Sequence, residues 1–353
     1  MVGSPYLGKP CLGKGNLSRP RPELARRRAP PCAAPPGPRS ATTSRSLTVP
    51  HLRSRAPAPA RPSGTGPAAP SPAPRLACTG IDATYDGRTP VLHDVAVTFA
   101  PGRLTAIVGP NGSGKSTLLA CLAHQLHHDG SVTLDGTDVA RVPRRRLARR
   151  LAFLPQSPTA PEGVSVRGLT ERGRTPHRRA FAPLGASDHA AVGSALARLD
   201  LEPLAERRLT ELSGGQRQRA WIALVLAQDA PTLLLDEPTA FLDLAQQASL
   251  LDLARTLAHE GRTVLAVLHD LNLAAAFADE LVVLDRGRVH AQGAPADVLT
   301  RELLAEVFGL RADLLPDPMT GAPVILPRPS VPLVALAAHA ARSVAAESVA
   351  AEA

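Results

Sequence analysis

The 353-residue chain is long enough for two average domains or for one larger α/β unit with tails, and 44% of its residues are hydrophobic, an ordinary share for a globular protein. Its net charge of +9 would by itself favour a nucleic-acid ligand. However, residues 1–75 hold 13 Lys or Arg and the single acid Glu23, so residues 76–353 carry about −3. We therefore expect no nucleic-acid partner.

Residues 1–75 also hold 17 of the 36 prolines and alternate Pro, Ala, Arg and Ser without apolar periodicity. This composition predicts a disordered extension, and it lacks the apolar segment of a signal peptide. An organellar transit peptide stays open, because the segment is rich in Arg and Ser and poor in acids. Its prolines oppose the amphipathic helix of such peptides, so a dispensable extension is the favoured interpretation.

The cysteines have neither a CxxC pair nor metal-ligand spacing; Cys11 and Cys32 lie in the extension, and Cys78 and Cys121 lie in the body. This pattern favours free or buried thiols in a reducing compartment. No stretch reaches the roughly 20 apolar residues of a membrane helix. The nearest candidate, residues 331–341, is too short, so we expect that the chain does not cross a membrane by itself.

The predicted elements of the body begin near Ala77 with CTGIDATY and VLHDVAVTFA, whose alternating polarity is typical of two antiparallel strands. RLTAIVG follows as a continuous apolar run and predicts a buried strand. We then expect a helix from Lys115 to Gln125, short strands within residues 131–156, and a basic helix from Arg144 to Leu151. Residues 165–212 have apolar residues at helical spacing and predict mostly helices.

Strands and helices alternate again in the second half of the body. A strand ends at Asp236, a helix covers Ala245 to Glu260, TVLAVLH is a strand, a helix covers Leu271 to Ala278, and ELVVLDRG is a strand. This order predicts an α/β body with an antiparallel β part and a helical insertion. The Ala-rich residues 331–353 predict a frayed helix or disorder.

The segment GPNGSGKST satisfies the phosphate-loop pattern G-x-x-x-x-G-K-[ST] between a predicted strand and a predicted helix. Its glycines allow backbone N–H groups to converge on phosphate oxygens, and the helix N-terminus adds a positive dipole end. Lys115 is expected to reach the β- and γ-phosphates, and the Ser116 hydroxyl to ligate Mg²⁺. The phosphate-binding candidates are Gly109, Pro110, Asn111, Gly112, Ser113, Gly114, Lys115, Ser116 and Thr117.

The apolar strand LLLDE places Asp236 and Glu237 at its carboxyl end, where open α/β sheets have their active sites. Asp236 is a candidate Mg²⁺ ligand. Glu237 is a candidate general base that polarises the attacking water. Taken alone, the pair would also suit a solvated acidic turn after a strand, but the phosphate loop favours the functional interpretation.

The segment LSGGQ precedes a predicted helix and gives the chain a second anion-binding helix N-terminus. One chain needs only one phosphate cradle, so the second one favours an explanation with two sites. The candidate residues of this second cradle are Ser213, Gly214, Gly215 and Gln216.

The order of these motifs resembles the ATP-binding cassette (ABC) family over about residues 76–310, and LSGGQ is close to diagnostic of that family. The residues that carry the resemblance are Tyr85, Gly109–Thr117, Gln156, Leu212–Gln216, Asp236–Glu237, Asp243 and His269. It implies a P-loop NTPase core with an antiparallel β subdomain and a helical insertion at about residues 157–212. Residues 311–353 are then a C-terminal extension.

The resemblance also implies roles and partners. Two copies of the chain form a head-to-tail dimer around two ATP molecules. Tyr85 stacks on adenine, Gln156 senses the γ-phosphate and contacts the metal, Asp243 makes a dimer contact, and His269 holds the γ-phosphate and the water. Taken singly, Tyr85 and His269 would also suit core packing. The segment Ala240–Asp243 reads AFLD where many members have SALD, but its aspartate remains.

A single cassette without membrane segments resembles the importers more than the exporters. The implied partners are permease subunits in the membrane and, indirectly, an extracellular substrate-binding protein, with the cassette on the cytoplasmic face. LPQSPTAPE, RGRTPH and TAFLDLA resemble cassettes that serve ferric siderophores, although Gln246 replaces a common His. Heme and cobalamin importers are the near alternatives; a non-transport ABC ATPase and a P-loop kinase or GTPase are more distant.

Overall fold

The computed structural model describes residues 76–179 and 182–329; the predictions for residues 1–75 and 331–353 lie outside them. None of the helices in these ranges is long and apolar enough to cross a bilayer. The strands are β1 (Leu76–Thr84), β2 (Pro90–Phe99), β3 (Leu104–Val108), β4 (His128–Leu134), β5 (Thr137–Asp138), β6 (Leu151–Leu154), β7 (Thr232–Asp236), β8 (Thr263–Val267), β9 (Glu280–Asp285), β10 (Arg288–Gly293), β11 (Ala312–Pro316) and β12 (Pro323–Pro327). The α-helices are α1 (Lys115–Leu122), α2 (Arg144–Leu147), α3 (Val166–Arg172), α4 (Ala186–Ala197), α5 (Gly214–Ala227), α6 (Leu244–His259), α7 (Leu271–Phe277), α8 (Pro295–Val298) and α9 (Arg301–Phe308).

The central sheet has the order β10-β9-β3-β8-β7-β6, in which all neighbours are parallel except β10 and β9. Every residue of β3, β7 and β8 is buried, as their predominantly apolar runs predict for strands that are covered on both faces. The two faces alternate along each strand. In β8, for example, Val264 and Ala266 join one core cluster, and Leu265 and Val267 join the other.

A four-stranded antiparallel sheet, ordered β2-β1-β4-β5, covers α1 on one side of the central sheet. Leu118, Leu119 and Leu122 of α1 are fully buried in the same core cluster as Ile81 of β1 and Leu265 of β8. Because α1 is sandwiched between two sheets, the loop that precedes it has a fixed position. The predicted antiparallel β subdomain is confirmed.

Helices α3 and α4 pack against α5 and form the predicted helical insertion. Their apolar side chains belong to the cluster on the opposite face of the central sheet. Arg174 joins the three helices, since its guanidinium donates to Asp188 Oδ1 at 2.9 Å and to the Ala227 carbonyl oxygen at 2.8 Å. The insertion is thereby tied to the helix that follows LSGGQ.

The predicted basic helix Arg144 to Leu151 is too long. The helix ends at Leu147, and the Arg150 carbonyl already accepts a hydrogen bond from the Thr232 N–H. The chain has therefore joined β7 before Leu151, and tertiary pairing overrides the helix preference of the Ala-Arg run. Helix α1 also ends before Gln125, at Leu122.

The sequence did not predict the hairpin formed by β11 and β12, which we call the C-terminal hairpin (residues 312–327). Its turn is held by Asp317, whose Oδ1 accepts the N–H groups of Met319 at 2.9 Å and Thr320 at 2.8 Å. Ile325 of β12 is 4% exposed and packs in the large core cluster with residues of α7. The hairpin is therefore part of the folded body.

Candidate functional site

The predicted site residues lie at the carboxyl ends of four adjacent parallel strands, β3, β8, β7 and β6. The loop from Gly109 follows β3, His269 lies two residues after β8, Asp236 ends β7, and Gln156 lies two residues after β6. Parallel strands that end at one edge bring distant segments together. The structure thus collects the phosphate loop, both acids, the glutamine and the histidine at one edge of the sheet.

The phosphate loop is tightly packed at its start and polar inside. A Cβ on Gly109 would lie 2.0 Å from the Leu284 carbonyl oxygen, so no other residue fits there. Ser113 Oγ is buried without a hydrogen-bond partner. The Lys115 ammonium donates to the carbonyl oxygens of Gly109 and Pro110, both at 2.8 Å.

These features suit a phosphate ligand. The first N–H groups of α1 have no acceptor within the helix, and the orphaned Ser113 hydroxyl adds another donor. Burial lowers the pKa of the Lys115 ammonium, and the carboxylates of Glu237 and Asp236 oppose that shift. A bound polyphosphate would give each of these donors an anionic acceptor.

Ser116 and Asp236 form the second part of the site. The Ser116 hydroxyl donates to Asp236 Oδ1 at 3.0 Å, and Asp236 is 3% exposed. Burial raises the pKa of Asp236, although the hydrogen bond from Ser116 lowers it. The Glu237 carboxylate adds to the rise, whereas the Gln156 backbone N–H and the Lys115 ammonium lower the pKa. A hydroxyl and a buried carboxylate are oxygen donors that fit Mg²⁺. The Gln156 side chain is exposed beside them.

Glu237 and His269 face each other across the site, with His269 Nε2 2.7 Å from Glu237 Oε1. Glu237 has a positive φ of 51°, which is rare for a residue other than glycine. The Gln218 side-chain amide donates to the Pro238 carbonyl oxygen at 3.2 Å and holds the turn that follows. Sequence reasoning missed Gln218, although its place on the helix after LSGGQ was a usable signal.

Tyr85 lies beside the phosphate loop, and its hydroxyl is 3.2 Å from Thr117 Oγ1. The side chain is 67% exposed, so one face of the ring is available for stacking. Core packing is therefore not the role of Tyr85. The contact with Thr117 was not predicted, and it fixes the ring relative to the loop.

Ser213 and Gln216 cap α5 reciprocally: Ser213 Oγ accepts the Gln216 N–H at 3.2 Å, and Gln216 Oε1 accepts the Ser213 N–H at 3.1 Å. The two glycines allow close packing against the segment 240–243. A Cβ on Gly214 would lie 3.2 Å from Phe241 Cβ, and one on Gly215 would lie 3.2 Å from Leu242 Cδ2. LSGGQ and the AFLD segment thus form one surface.

Asp243 begins the next helix, where its side chain accepts the Gln246 N–H at 2.9 Å. Within residues 76–179 and 182–329, no hydrogen bond or ion pair joins Ser213–Gln216 to the phosphate loop. The candidate phosphate-binding residues thus belong to two different elements, the loop before α1 and the start of α5.

The geometry agrees with comparisons to known proteins. Residues 92–240 match the family model described as ABC transporter. The chain is 46% identical over 263 residues to the hemin import ATP-binding protein of Rhodococcus jostii. This alignment covers 74% of this chain and 89% of that protein. It is 43% identical over 243 residues to the ferric enterobactin transport ATP-binding protein of Escherichia coli, covering 68% and 90%.

Solved structures share the fold. An ABC transporter described as of metal-chelate type, in an inward-facing conformation, matches with a TM-score of 0.63 and 29% identity over 73% of this chain and 98% of that one. The dimeric structure of a bacterial ABC transporter cassette matches with a TM-score of 0.56 and 26% identity over 62% and 98%.

Proposed function

The chain belongs to the ABC transporter family, and from this premise we propose how its residues bind and hydrolyse ATP to energise import. Residues 76–310 are the nucleotide-binding domain. Lys115 and the N–H groups at the start of α1 bind the phosphates, Tyr85 stacks on the base, and Ser116, Asp236 and Gln156 hold Mg²⁺. The metal supplies charge neutralisation on the phosphate oxygens when it is bound.

Glu237 is the general base, and its contact with His269 carries this assignment. The 2.7 Å separation from His269 Nε2 holds one carboxylate oxygen in place and leaves the second for a water molecule. His269 remains half-exposed, with 49% of its side chain accessible, so that it can also reach the γ-phosphate. Glu237 accepts a proton from the water as the water oxygen bonds to the γ-phosphorus, while the bond from that phosphorus to the β–γ bridging oxygen breaks and ADP leaves.

Two copies of the chain complete the site. Ser213–Gln216 of one copy contact the γ-phosphate that is held by the phosphate loop of the other copy. This arrangement uses both sets of candidate phosphate-binding residues of the chain, and the cassette that resembles it in fold is dimeric. Asp243 and the exposed Phe241 lie beside LSGGQ at the same surface.

We expect Glu237→Gln to abolish steady-state ATP hydrolysis while MgATP still binds, because the amide cannot accept the proton but leaves the phosphate donors intact. Phosphate release and nucleotide affinity measure the two properties separately. Glu260→Gln is the matched control, since Glu260 is an exposed acid directly after α6 that pairs with Arg198. Hydrolysis by Glu237→Gln at the wild-type rate would remove Glu237 from this role.

The cargo is a ferric siderophore or a related iron chelate. The similarity to the ferric enterobactin relative supports this assignment, and so does the metal-chelate type of the structural neighbour. The hemin relative, at 46% identity, supports heme as the second candidate. The cassette acts on the cytoplasmic face of the membrane, where ATP and the permease subunits meet, and an extracellular binding protein delivers the cargo.

The cargo is tested by deleting the gene and growing the strain under iron starvation with one iron source at a time. Growth on at least one ferric siderophore should fail, and the wild-type gene, but not Glu237→Gln, should restore it. Normal growth on every siderophore combined with a failure on heme or cobalamin would contradict the siderophore assignment. The ATPase assignment would be untouched by that result.

A further inference from the structure

Within the described residues, the hydrogen bonds between the C-terminal hairpin and α7 are made by the side chain of Asn272. The Ile325 N–H donates to Asn272 Oδ1 at 2.7 Å, and Asn272 Nδ2 donates to the Ile325 carbonyl oxygen at 3.2 Å. One amide side chain thus satisfies both outward-facing backbone groups of an edge residue, as a neighbouring strand would. The burial of Ile325 adds an apolar contact at the same point.

The residue that Asn272 holds in place lies close to the candidate site. His269 and Asp270 are the last residues before α7, and Asp270 Oδ1 accepts the N–H groups of Asn272 at 2.8 Å and Leu273 at 3.0 Å. A rotation or fraying of the first turn of α7 would therefore move His269. With seven residues, α7 is too short to be stable without tertiary support.

The hairpin can supply this support because it is anchored independently of α7. Asp313 of β11 pairs with Arg301 of α9 at 3.1 Å and with Arg328 beyond β12. The Leu310 N–H donates to the Leu304 carbonyl oxygen at 2.9 Å and fixes the entry into the hairpin. The hairpin is thus linked to α9 on one side and to α7 on the other.

We propose that the C-terminal hairpin braces α7 and that Asn272 is a positioning residue, which keeps His269 in contact with Glu237 during hydrolysis. This inference rests on the proposed roles of His269 and Glu237. Asn272 itself touches neither ATP nor the reacting atoms. It acts through the angle and stability of the first helical turn, and the hairpin adds a requirement for hydrolysis that lies outside the predicted nucleotide-binding domain.

The first test is Asn272→Ala in the full chain. We expect kcat to fall about fivefold, as the loss of two partly buried hydrogen bonds permits, while KM and the affinity for MgATP stay unchanged. Arg328→Gln is the control, because it removes the hairpin's ion pair with Asp313 without touching α7. It should lower the melting temperature and leave kcat within about twofold.

The second test separates positioning from general stability by combining Asn272→Ala with His269→Ala. If Asn272 acts through His269, its substitution should change the residual rate of the His269→Ala protein by less than about twofold. An equal loss in both backgrounds, or an unchanged kcat in Asn272→Ala alone, would overturn the inference. If His269→Ala alone hydrolysed ATP normally, the proposed role of His269 would fail first, and the inference with it.

Discussion

At the scale of single residues, burial controls the chemistry of the cysteines. Burial raises the pKa of Cys78 to about 11 and that of Cys121 to about 12. Both thiols are free and lie in the core between β1 and α1. The expectation of buried, unpaired thiols is confirmed for these two residues, and it implies that they stay protonated in the folded state.

This burial predicts a loss of stability at alkaline pH. The unfolded chain ionises its thiols near their ordinary pKa, whereas folded Cys78 ionises only at about 11, so the unfolded state binds fewer protons between these values. The contribution of the protonated thiol to the free energy of unfolding should therefore be fully present below pH 8 and decline as the pH rises. The decline should reach about 2 kcal/mol for Cys78 by about pH 11.

Urea unfolding at neutral and alkaline pH measures this effect in two variants with similar cavities. Cys78→Ala should be less stable at neutral pH but lose less stability on the alkaline side. Val97→Ala removes a buried apolar group from the register partner of Cys78, so it should retain the wild-type pH dependence. If the free energies of unfolding of wild type and Cys78→Ala ran parallel against pH, the thiol would not contribute to the alkaline loss of stability.

Which residues meet in the site could be predicted from the sequence in part. Asp236 and Ser116 were both assigned to a metal because their motifs are local, and the structure places them in hydrogen bond. The orphaned hydroxyl of Ser113 and the contact of Tyr85 with Thr117 could not be predicted. They depend on the path of the loop and on the placement of β1 relative to α1, which no local pattern encodes.

At the scale of elements, Arg174 links the helices of the insertion. Its guanidinium and the Asp188 carboxylate are both largely buried, with 9% and 12% of the side chains exposed. The Arg174 hydrogen bond, followed by the Gly185 N–H, lowers the pKa of Asp188. Removing one partner of a buried ion pair with satisfied hydrogen bonds lowers the stability of the protein strongly, because the other charge is left buried without compensation.

Arg174→Ala should therefore destabilise the protein by about 3 kcal/mol, because Asp188 and the Ala227 carbonyl group lose their donor. Equilibrium unfolding measures the change. The control is Arg172→Ala, since Arg172 is the last residue of α3, lies two residues before Arg174 and is exposed. If both variants lost the same small amount of stability, the link between the three helices would not be a stabilising feature.

The elements themselves were predictable where one physical signal dominated. The strands β3, β7 and β8 are predominantly apolar and fully buried, and all were found. The edge strand β10 alternates exposed and half-buried residues, and it was missed. The C-terminal hairpin contains Pro316, Pro323 and Pro327, which signal loops; prolines are tolerated here because the two strands form a sheet of their own.

At the scale of the whole molecule, the proposed dimer assigns the two candidate phosphate-binding segments of one nucleotide site to different copies of the chain. The phosphate loop lies at the carboxyl end of β3, whereas Ser213 caps a helix that packs with the insertion. The family resemblance implies this division, and closure of two copies on ATP is the property that tests it.

Closure should therefore depend on Ser213. In the Glu237→Gln background, MgATP should convert the chain from monomer to dimer, because the nucleotide that joins the two copies is not hydrolysed. Adding Ser213→Arg should keep the chain monomeric, since Ser213 is exposed and a long side chain at this cap would fill the space for the γ-phosphate. Binding of one MgATP per chain should persist, because the phosphate loop is unchanged.

Size-exclusion chromatography with light scattering measures the dimer, and nucleotide titration measures the affinity. Ser187→Arg is the matched control, because Ser187 is an exposed serine in the first turn of α4, away from LSGGQ. It should dimerise like the parent Glu237→Gln chain. Dimerisation of the Ser213→Arg chain to the same extent would place the contact between copies elsewhere, because the seven heavy atoms of an arginine side chain at this cap would displace a phosphate held by the partner's loop.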